Sequence, residues 1–264
     1  MTPTAPIWAP GLTPTGTASE LRVDDLVKSF GPVQAIRGVS FSVRSGDVLG
    51  LVGDNGAGKT TLVKCMSGIL RPDSGEISID GQTVDIDSPR TAHRLGIETV
   101  HQDLALIDSL DVAANLFLNR EQVAGGGPLR AFGWLRNRHM HRQAKEILDS
   151  LRINIPSVRA PIERLSGGQR QAVAVGRAVA WGQRIVLMDE PSAALGVEQT
   201  RLVLELVRTL RDRGVIVVFI SHNMQQVLEV CTRAVVMRHG LVAADVAIAD
   251  VTARDLVEFI TGSR

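Results

Sequence analysis

The sequence has little cysteine, little net charge and no long apolar run. Only two of its 264 residues, Cys65 and Cys231, are cysteines, which suits a reducing compartment and buried thiols better than a disulfide framework. The formal net charge is +1, whereas a broad nucleic-acid-binding face is normally strongly basic. Apolar runs such as VIVVFI at 215–220 have strand length and fall short of the roughly 18 residues that cross a bilayer. We therefore expect a soluble chain that does not bind nucleic acid.

The first residues, MTPTAPIWAPGLTPTGTASE, are rich in Pro, Thr and Gly. They have neither the basic start nor the apolar stretch of a signal peptide. We predict that residues 1–19 form a disordered leader. At 264 residues, the chain suits one large domain, or a domain with an inserted lobe, and can bury a sizeable core.

Short β-branched runs alternate with helical stretches, which predicts an α/β fold. Between about 88 and 160 the pattern is mainly helical and indicates an inserted lobe. A further helix is predicted near 198–213. The continuous apolar runs in the second half favour a buried parallel sheet. The predicted strands are 21–25, 39–43, 48–52, 76–80, 185–188, 215–220 and 234–237.

A glycine-rich loop, GDNGAGKTT, joins the strand VLGLV to an apolar-periodic helix. It fits the P-loop pattern G-x-x-x-x-G-K-[ST] in the context that this motif requires. Such a loop wraps phosphate with backbone N–H groups, while Lys59 supplies a positive charge and Thr60 a ligand for Mg²⁺. The predicted phosphate-binding residues are Gly53, Asp54, Asn55, Gly56, Ala57, Gly58, Lys59, Thr60 and Thr61.

Two carboxylates follow the buried run IVLM directly. In an α/β sheet this position is the carboxyl edge, where ligand sites lie. Asp189 is a candidate Mg²⁺ ligand, and Glu190 a candidate group to orient or deprotonate an attacking water. Two acids after a strand can also be only the cap and first turn of a helix.

Two other polar positions bear on a nucleotide site. His222 follows the strand 215–220, so it falls at the same sheet edge and can reach a γ-phosphate. Gln102 follows the apolar stretch GIETV at a predicted strand end. By contrast, His139 and His141 lie in RNRHMHR, which we interpret as a solvated helical face.

The stretch LSGGQRQ opens a predicted helix at 169–180, with Ser166 as its N-cap. Helix N-termini attract anions, and glycines let a phosphate approach the backbone. This segment has no lysine or metal ligand with which to hold a nucleotide by itself. An ordinary capped helix is the alternative.

The ordered set of P-loop, Gln102, LSGGQ, MDEP and His222 resembles the nucleotide-binding subunit of an ATP-binding cassette (ABC) transporter. The resemblance covers residues 20–262. It implies a P-loop NTPase (RecA-like) core with a mainly parallel sheet and an N-terminal antiparallel β subdomain. It also implies an inserted helical subdomain, made of about 88–160 and the signature helix 165–181.

In that family two cassettes face each other head to tail, and the signature of one completes the ATP site of the other. The resemblance therefore implies ATP and Mg²⁺ as cofactors and a homodimer in which the signature caps the γ-phosphate bound to the partner's P-loop. Phe30 falls where the family stacks an aromatic ring on adenine, although a core Phe is the alternative. The implied signature residues are Ser166, Gly167, Gly168 and Gln169, the metal ligands are Thr60, Gln102 and Asp189, and the catalytic residues are Glu190, His222 and Gln102.

The segments EPSAALGV and SHNMQQVLEV look like those of cassettes that drive import of simple sugars. This resemblance implies transmembrane permease subunits and, indirectly, a sugar-binding protein as partners. It places the chain at the cytoplasmic face of the cell membrane, attached through the permease. Gly196 stands where the family usually has an aspartate, which leaves communication between the two ATP sites open.

Three alternatives to sugar import remain. The chain could serve a different transporter, or it could be a cassette ATPase that acts on DNA or ribosomes. Chromosome-type cassettes carry long coiled coils and translation-factor types carry two cassettes, and the interval from Gln102 to Leu165 has room for neither. The third alternative, a pure nucleotide-binding module, is disfavoured by the presence of both Glu190 and His222.

Overall fold

The computed structural model describes residues 20–100, 105–118, 120–122, 136–180, 184–193 and 195–263. The chain divides into two compact units. We call Asp103–Gly182 with Ala194–Leu206 the helical unit. We call Pro14–Gln102, Gln183–Ala193 and Val207–Arg264 the sheet unit. The predicted leader, 1–19, lies outside the described residues.

The strands of the described residues all belong to the sheet unit. They are β1 (Glu20–Phe30), β2 (Val33–Arg44), β3 (Val48–Gly53), β4 (Ser74–Ile79), β5 (Gln82–Val84), β6 (Ile97–Val100), β7 (Ile185–Asp189), β8 (Ile216–Ile220), β9 (Arg233–Arg238) and β10 (Leu241–Ala247). One sheet is antiparallel, in the order β2-β1-β4-β5. The other has the order β10-β9-β3-β8-β7-β6 and is parallel except for β10.

The α-helices of the described residues lie in both units. They are α1 (Lys59–Met66), α2 (Pro89–Arg94), α3 (Val112–Leu116), α4 (Asn137–Ser150), α5 (Gly167–Ala180), α6 (Val197–Asp212), α7 (Met224–Val230) and α8 (Ala253–Thr261). In the described parts of the chain, no helix combines the length and the apolar character needed to cross a membrane.

The parallel sheet forms because its central strands are apolar on both faces. Every residue of β3 and β8 is buried, as are the first four residues of β7. Both faces of these strands therefore pack against other parts of the sheet unit. Since β3, β7 and β8 run parallel, their carboxyl ends meet at one edge, which places the residues after each strand side by side.

The predicted α/β class, the antiparallel N-terminal sheet and the mainly parallel second sheet are confirmed. The sequence pattern missed β5 and β10. β5 has only three residues, and β10 has alternating exposed and half-buried positions with none buried. Residues 89–100, which we assigned to the helical lobe, form α2 and β6, and β6 pairs with β7 in the sheet unit. The helical unit begins at Asp103 rather than near 88.

The helical unit contains one contact that corrects the sequence interpretation. His141 is not on a solvated face, because its Nε2 lies 3.0 Å from Oδ2 of Asp111 and only 21% of its side chain is exposed. Asp111 is the N-cap of α3, and its other oxygen accepts a hydrogen bond from the Ala114 N–H at 2.7 Å. His141 therefore links α4 to the first turn of α3. His139 is half-buried, with its Nδ1 3.0 Å from Arg142 Nη2.

Candidate nucleotide site

The loop between β3 and α1 has a backbone path that only glycine permits at two positions. Gly53 and Gly58 have φ of 150° and 101°. A Cβ at Gly53 would lie 2.2 Å from the Met237 carbonyl oxygen, and one at Gly58 would lie 2.4 Å from the Ala35 carbonyl oxygen. The loop is therefore pressed against neighbouring backbone, which constrains its shape.

The turn between β9 and β10 supports this loop from the side. The Gly240 N–H donates to the Ala57 carbonyl at 3.1 Å, and the Gly240 carbonyl accepts from the Arg37 N–H at 2.8 Å. His239 and Gly240 have φ of 49° and 79°, as a two-residue type I′ hairpin requires. The sequence pattern does not predict this support, because it does not indicate β10. The dipeptide His239-Gly240 after an apolar strand was the signal that could have shown it.

Lys59 begins α1 and its ammonium group folds over the loop. The Nζ atom donates to the carbonyl oxygens of Gly53 at 2.6 Å and Asp54 at 2.9 Å. Partial burial lowers the pKa of Lys59 below its ordinary value, while the charges of Glu190, Asp54 and Asp189 act to raise it. These influences put the carboxylates of Asp189, the last residue of β7, and of Glu190, which follows it, in the electrostatic neighbourhood of the P-loop lysine.

Glu190 and His222 form a direct pair at the sheet edge. His222 Nδ1 lies 2.8 Å from Glu190 Oε2, and the side chains are 72% and 22% exposed, respectively. Glu190 has a φ of 51°, and its N–H donates to the Ile220 carbonyl at 3.0 Å. A non-glycine residue in this left-handed region is strained. The bond to β8 therefore holds Glu190 in a conformation that directs its carboxylate toward His222.

The two loops that carry this pair are tied together by a residue that the sequence analysis did not single out. Gln226 Oε1 accepts a hydrogen bond from Ser192 Oγ at 2.6 Å, and Ser221 Oγ lies 3.4 Å from the same oxygen. Asn223 caps α7 by accepting from the N–H groups of Gln225 and Gln226. Gln226 thus connects the turn after Glu190 to the segment before His222.

Phe30 is the last residue of β1 and is 48% exposed. This exposure excludes the alternative of a core Phe. Val33 pairs with it across the turn to β2, and Lys28 Nζ lies 5.8 Å from the centre of the ring. An exposed aromatic ring at a strand end can stack on a flat ligand such as a base.

The predicted signature helix is present and begins at Gly167. The Gln169 N–H donates to Ser166 Oγ at 3.3 Å, and the Ser166 N–H donates to Gln169 Oε1 at 3.0 Å. This reciprocal pair is a capping box, which stabilises the first turn. The Gln169 side chain is thereby engaged in the helix cap.

The structure therefore brings Lys59, Asp189, Glu190 and His222 together in the sheet unit. The signature residues belong to the helical unit. Gln102 lies outside the described residues. Among the described residues there is no cluster of three or more His, Cys, Asp or Glu side chains that could hold a metal ion.

Comparisons with known proteins point to one family. A family model described as "ABC transporter" matches residues 36–193. The xylose/arabinose import ATP-binding protein of Sulfolobus acidocaldarius is 47% identical over 220 residues, which are 83% of this chain and 85% of that protein. The fructose import ATP-binding protein of Rhizobium meliloti is 44% identical over 240 residues, which are 90% of this chain and 92% of that protein. Among solved structures, the ADP conformation of MJ1267, an ATP-binding cassette of an ABC transporter, superimposes with a TM-score of 0.76 at 28% identity over 92% of this chain and 98% of that one.

Proposed function

Because this chain belongs to the ABC transporter family, we propose that it hydrolyses ATP to energise the import of a simple sugar, as one of two cassettes in a head-to-tail dimer. The observation that carries the ATPase assignment is the Glu190–His222 pair beside the P-loop lysine. The names of the similar xylose/arabinose and fructose import proteins support a sugar as cargo.

Nucleotide binding follows from the P-loop and from Phe30. Backbone N–H groups of the loop and the Lys59 ammonium bind the β- and γ-phosphates. On binding, phosphate oxygens replace the Gly53 and Asp54 carbonyls as acceptors for Lys59 Nζ. Phe30 stacks on the adenine ring, which its exposure permits.

The residues at the sheet edge suit Mg²⁺. Thr60 offers an exposed hydroxyl at the start of α1, and Asp189 a carboxylate at the end of β7. Mg²⁺ typically takes one or two protein oxygens and completes its octahedron with phosphate and water. Thr60 and Asp189 would hold the ion, with Gln102 as a further proposed ligand, and the ion would neutralise charge on the phosphates.

Hydrolysis requires a water in line with the bond between the γ-phosphorus and the bridging oxygen. The Glu190 carboxylate orients this water and accepts its proton as the water oxygen bonds to the γ-phosphorus. The bond to the bridging oxygen then breaks and leaves ADP and phosphate. His222 fixes the rotamer of Glu190 through the 2.8 Å contact and leaves its second nitrogen for the γ-phosphate.

The second half of each site comes from the partner chain in this proposal. Ser166, Gly167 and Gly168 stand at the start of α5, whose backbone N–H groups attract an anion. The helical unit offers this helix start but has no P-loop of its own. Pairing it with the P-loop of a second copy gives two complete sites in a two-fold dimer.

We further propose that transmembrane permease subunits bind the helical unit and that a sugar-binding protein delivers the cargo to them. The chain would then lie at the cytoplasmic face of the membrane, attached through the permease. The segment around Ile107 suits this contact, because the Ile107 side chain is 41% exposed. Its backbone is held by Asn115, which bonds both the N–H and the carbonyl of Ile107.

Uptake of labelled xylose, fructose and ribose, measured in cells that lack the coding gene, tests the proposed cargo. Expression of the native chain should restore uptake of one of these sugars, and Glu190→Gln should not. If uptake of all three is normal without the gene while the purified chain hydrolyses ATP, the chain serves a different transporter or a process other than transport.

A further inference from the structure

Gly168 of the signature packs directly on Gln199, in the first turn of α6. A Cβ built on Gly168 would lie 2.8 Å from Cβ, 3.0 Å from Cγ and 3.1 Å from Cα of Gln199. Gly168 is helical and has no positive φ. Position 168 therefore requires glycine because Gln199 approaches closely, and not because of the backbone angle.

Gly167 makes a second contact with the same region. A Cβ on Gly167 would lie 3.1 Å from Cδ2 of Leu195 and 3.5 Å from Oε1 of Gln199. Both signature glycines thus face the loop that precedes α6 and the first turn of that helix. All of these residues belong to the helical unit.

The Gln199 side chain also holds that loop. Its Oε1 accepts a hydrogen bond from the Gly196 N–H at 3.3 Å. Gly196 precedes the first turn of α6, and its carbonyl accepts the first helical bond from Thr200 at 2.9 Å. Gln199 therefore caps its own helix from the third position, as a capping box does, although Gly196 has no side chain with which to reciprocate.

At Gly196, by contrast, no neighbouring atom restricts the size of the side chain. A Cβ built there would meet no atom of the described chain within 4 Å, and its φ is not in the left-handed region. The position where the family usually carries an aspartate therefore has space for a side chain. Within the described residues, Gln199 is the only residue whose side chain is seen to bond the backbone of Gly196.

We propose that Gln199 is a positioning residue for the signature. It packs against Gly167 and Gly168 while it holds the backbone at Gly196, and thereby sets the orientation in which the start of α5 meets the nucleotide of a partner chain. In this way the Gln199 side chain links the two segments, whereas the residue at 196 has no side chain to do so. The inference rests on the proposed head-to-tail dimer.

The test uses the full chain with Glu190→Gln, which should accumulate the ATP-bound dimer. Gln199→Ala removes both the packing atoms and the acceptor. Gln199→Met keeps the packing and removes the acceptor, whereas Gln199→Glu keeps both. We expect Ala and Met to weaken ATP-dependent dimerisation about tenfold, since a lost cap and a mobile loop misplace the signature. Glu should stay within about twofold of the parent, because it retains the acceptor.

Two readouts separate positioning from general stability. ATP affinity of the single chain, measured with a fluorescent nucleotide, should be unchanged in every variant, and the thermal midpoint should fall by no more than about 4 °C in the Ala and Met variants, as expected for a lost helix cap. In chains with native Glu190, Gln199→Ala should lower kcat with little change in KM. Glu198→Ala is the matched control, because Glu198 lies in the same turn with 84% of its side chain exposed, and it should behave as the parent.

The outcomes are distinct. If the Glu190→Gln chain itself does not dimerise with ATP, the proposed dimer fails and the role of Gln199 fails with it. If that chain dimerises, and the Ala and Met variants dimerise equally well, the dimer stands and the role of Gln199 is refuted. If Gln199→Ala lowers the thermal midpoint but Gln199→Met dimerises as the parent does, Gln199 serves only to pack the helical unit.

Discussion

His222 Nδ1 lies 2.8 Å from Glu190 Oε2, and this contact joins the residues that follow two adjacent parallel strands. Glu190 follows β7 directly, and its N–H is bonded to Ile220, the last residue of β8. The pair is therefore set by the register of the sheet. Its position beside Lys59 makes it the centre of the proposed hydrolytic chemistry.

The first prediction concerns Glu190. Glu190→Gln should bind ATP with the native affinity, because no proposed phosphate contact is changed. It should hydrolyse ATP at least about 10²-fold more slowly, since the group that orients the water and takes its proton is lost. Binding and steady-state turnover should be measured on the same preparation, with and without Mg²⁺. A near-native rate would show that Glu190 does not have this role.

The second prediction concerns its partner. His222→Ala should lower kcat by about tenfold or more, because the Glu190 carboxylate loses the contact that fixes its rotamer. His222→Gln is the matched variant, since its amide can still donate to Glu190, and it should keep more of the activity. Equal losses in the two variants would instead point to the direct phosphate contact as the main role of His222.

The third prediction concerns the two thiols. Burial raises the pKa of Cys65 to about 11 and also raises the pKa of Cys231. A thiol that stays protonated and buried is a poor nucleophile. At pH 8 a disulfide reagent should therefore label neither cysteine in the folded protein and should label both after unfolding in guanidinium. Rapid labelling of the folded chain would contradict the buried placement.

The same shift has a consequence for stability at high pH. An unfolded Cys65 loses its proton near the ordinary pKa of 9.0, whereas the folded thiol keeps it until about 11. The unfolded state therefore binds fewer protons in this window, and the free energy of unfolding must fall as the pH rises through it. Denaturant melts between pH 8 and 11 should show a smaller decline in Cys65→Ala than in the native chain.

Much of the sheet could be predicted because its central strands are continuous apolar runs. β3, β7 and β8 are buried on both faces, so their sequences carry a clear signal. β10 carries Asp and several Ala at exposed or half-buried positions. Its order comes from the hairpin with β9 and not from its own periodicity.

The site residues were visible as motifs, whereas the residues that support them were not. Glu190 and His222 each follow an apolar run, so their common edge could be inferred from the pattern. Gly240, Gln199 and Gln226 act through contacts with segments distant in sequence. Such contacts depend on how strands and loops pack, and neither spacing nor periodicity reports them.

The fourth prediction concerns coupling to the permease. Buried Asn115 holds the backbone of Ile107 through hydrogen bonds of 2.8 and 3.0 Å, while the Ile107 side chain remains 41% exposed. Ile107→Asp should therefore lower sugar uptake about tenfold while leaving the ATPase activity of the purified chain unchanged, since the charge disrupts only an apolar contact surface. Two nearby leucines are less suitable for this test. Leu106 is half-buried, so that a charge there could also disturb packing, and Leu104 lies outside the described residues.

Comparison with Asn115→Ala makes the coupling test decisive. Asn115→Ala should lower both activities, because it frees the backbone of the whole segment and leaves polar groups unpaired. If Ile107→Asp also loses both activities, Ile107 belongs to the core of the helical unit and the segment is not a permease contact.

The last prediction concerns the shared sites of the dimer. Lys59→Ala and Ser166→Arg should each inactivate the homodimer, because every site then has one damaged half. In a mixed dimer, one site carries both changes and the other carries neither. Random pairing makes about half of the dimers mixed, so independent sites would recover roughly a quarter of the native ATPase activity.

Strict cooperation between the sites could hide that recovery, so dimer formation provides an independent measurement. The Glu190→Gln chain should dimerise with ATP in a sizing experiment, and adding Ser166→Arg should abolish the dimer, because the arginine displaces the phosphate from the helix start. Glu198→Ala, in the exposed first turn of α6, controls for a general effect of substitution in the helical unit. If the Ser166→Arg double variant dimerises as well as its parent and mixing restores no activity, LSGGQ is an ordinary capped helix start. The reason is that a residue that contacts the partner's nucleotide cannot be replaced by a bulky cation without loss of the contact.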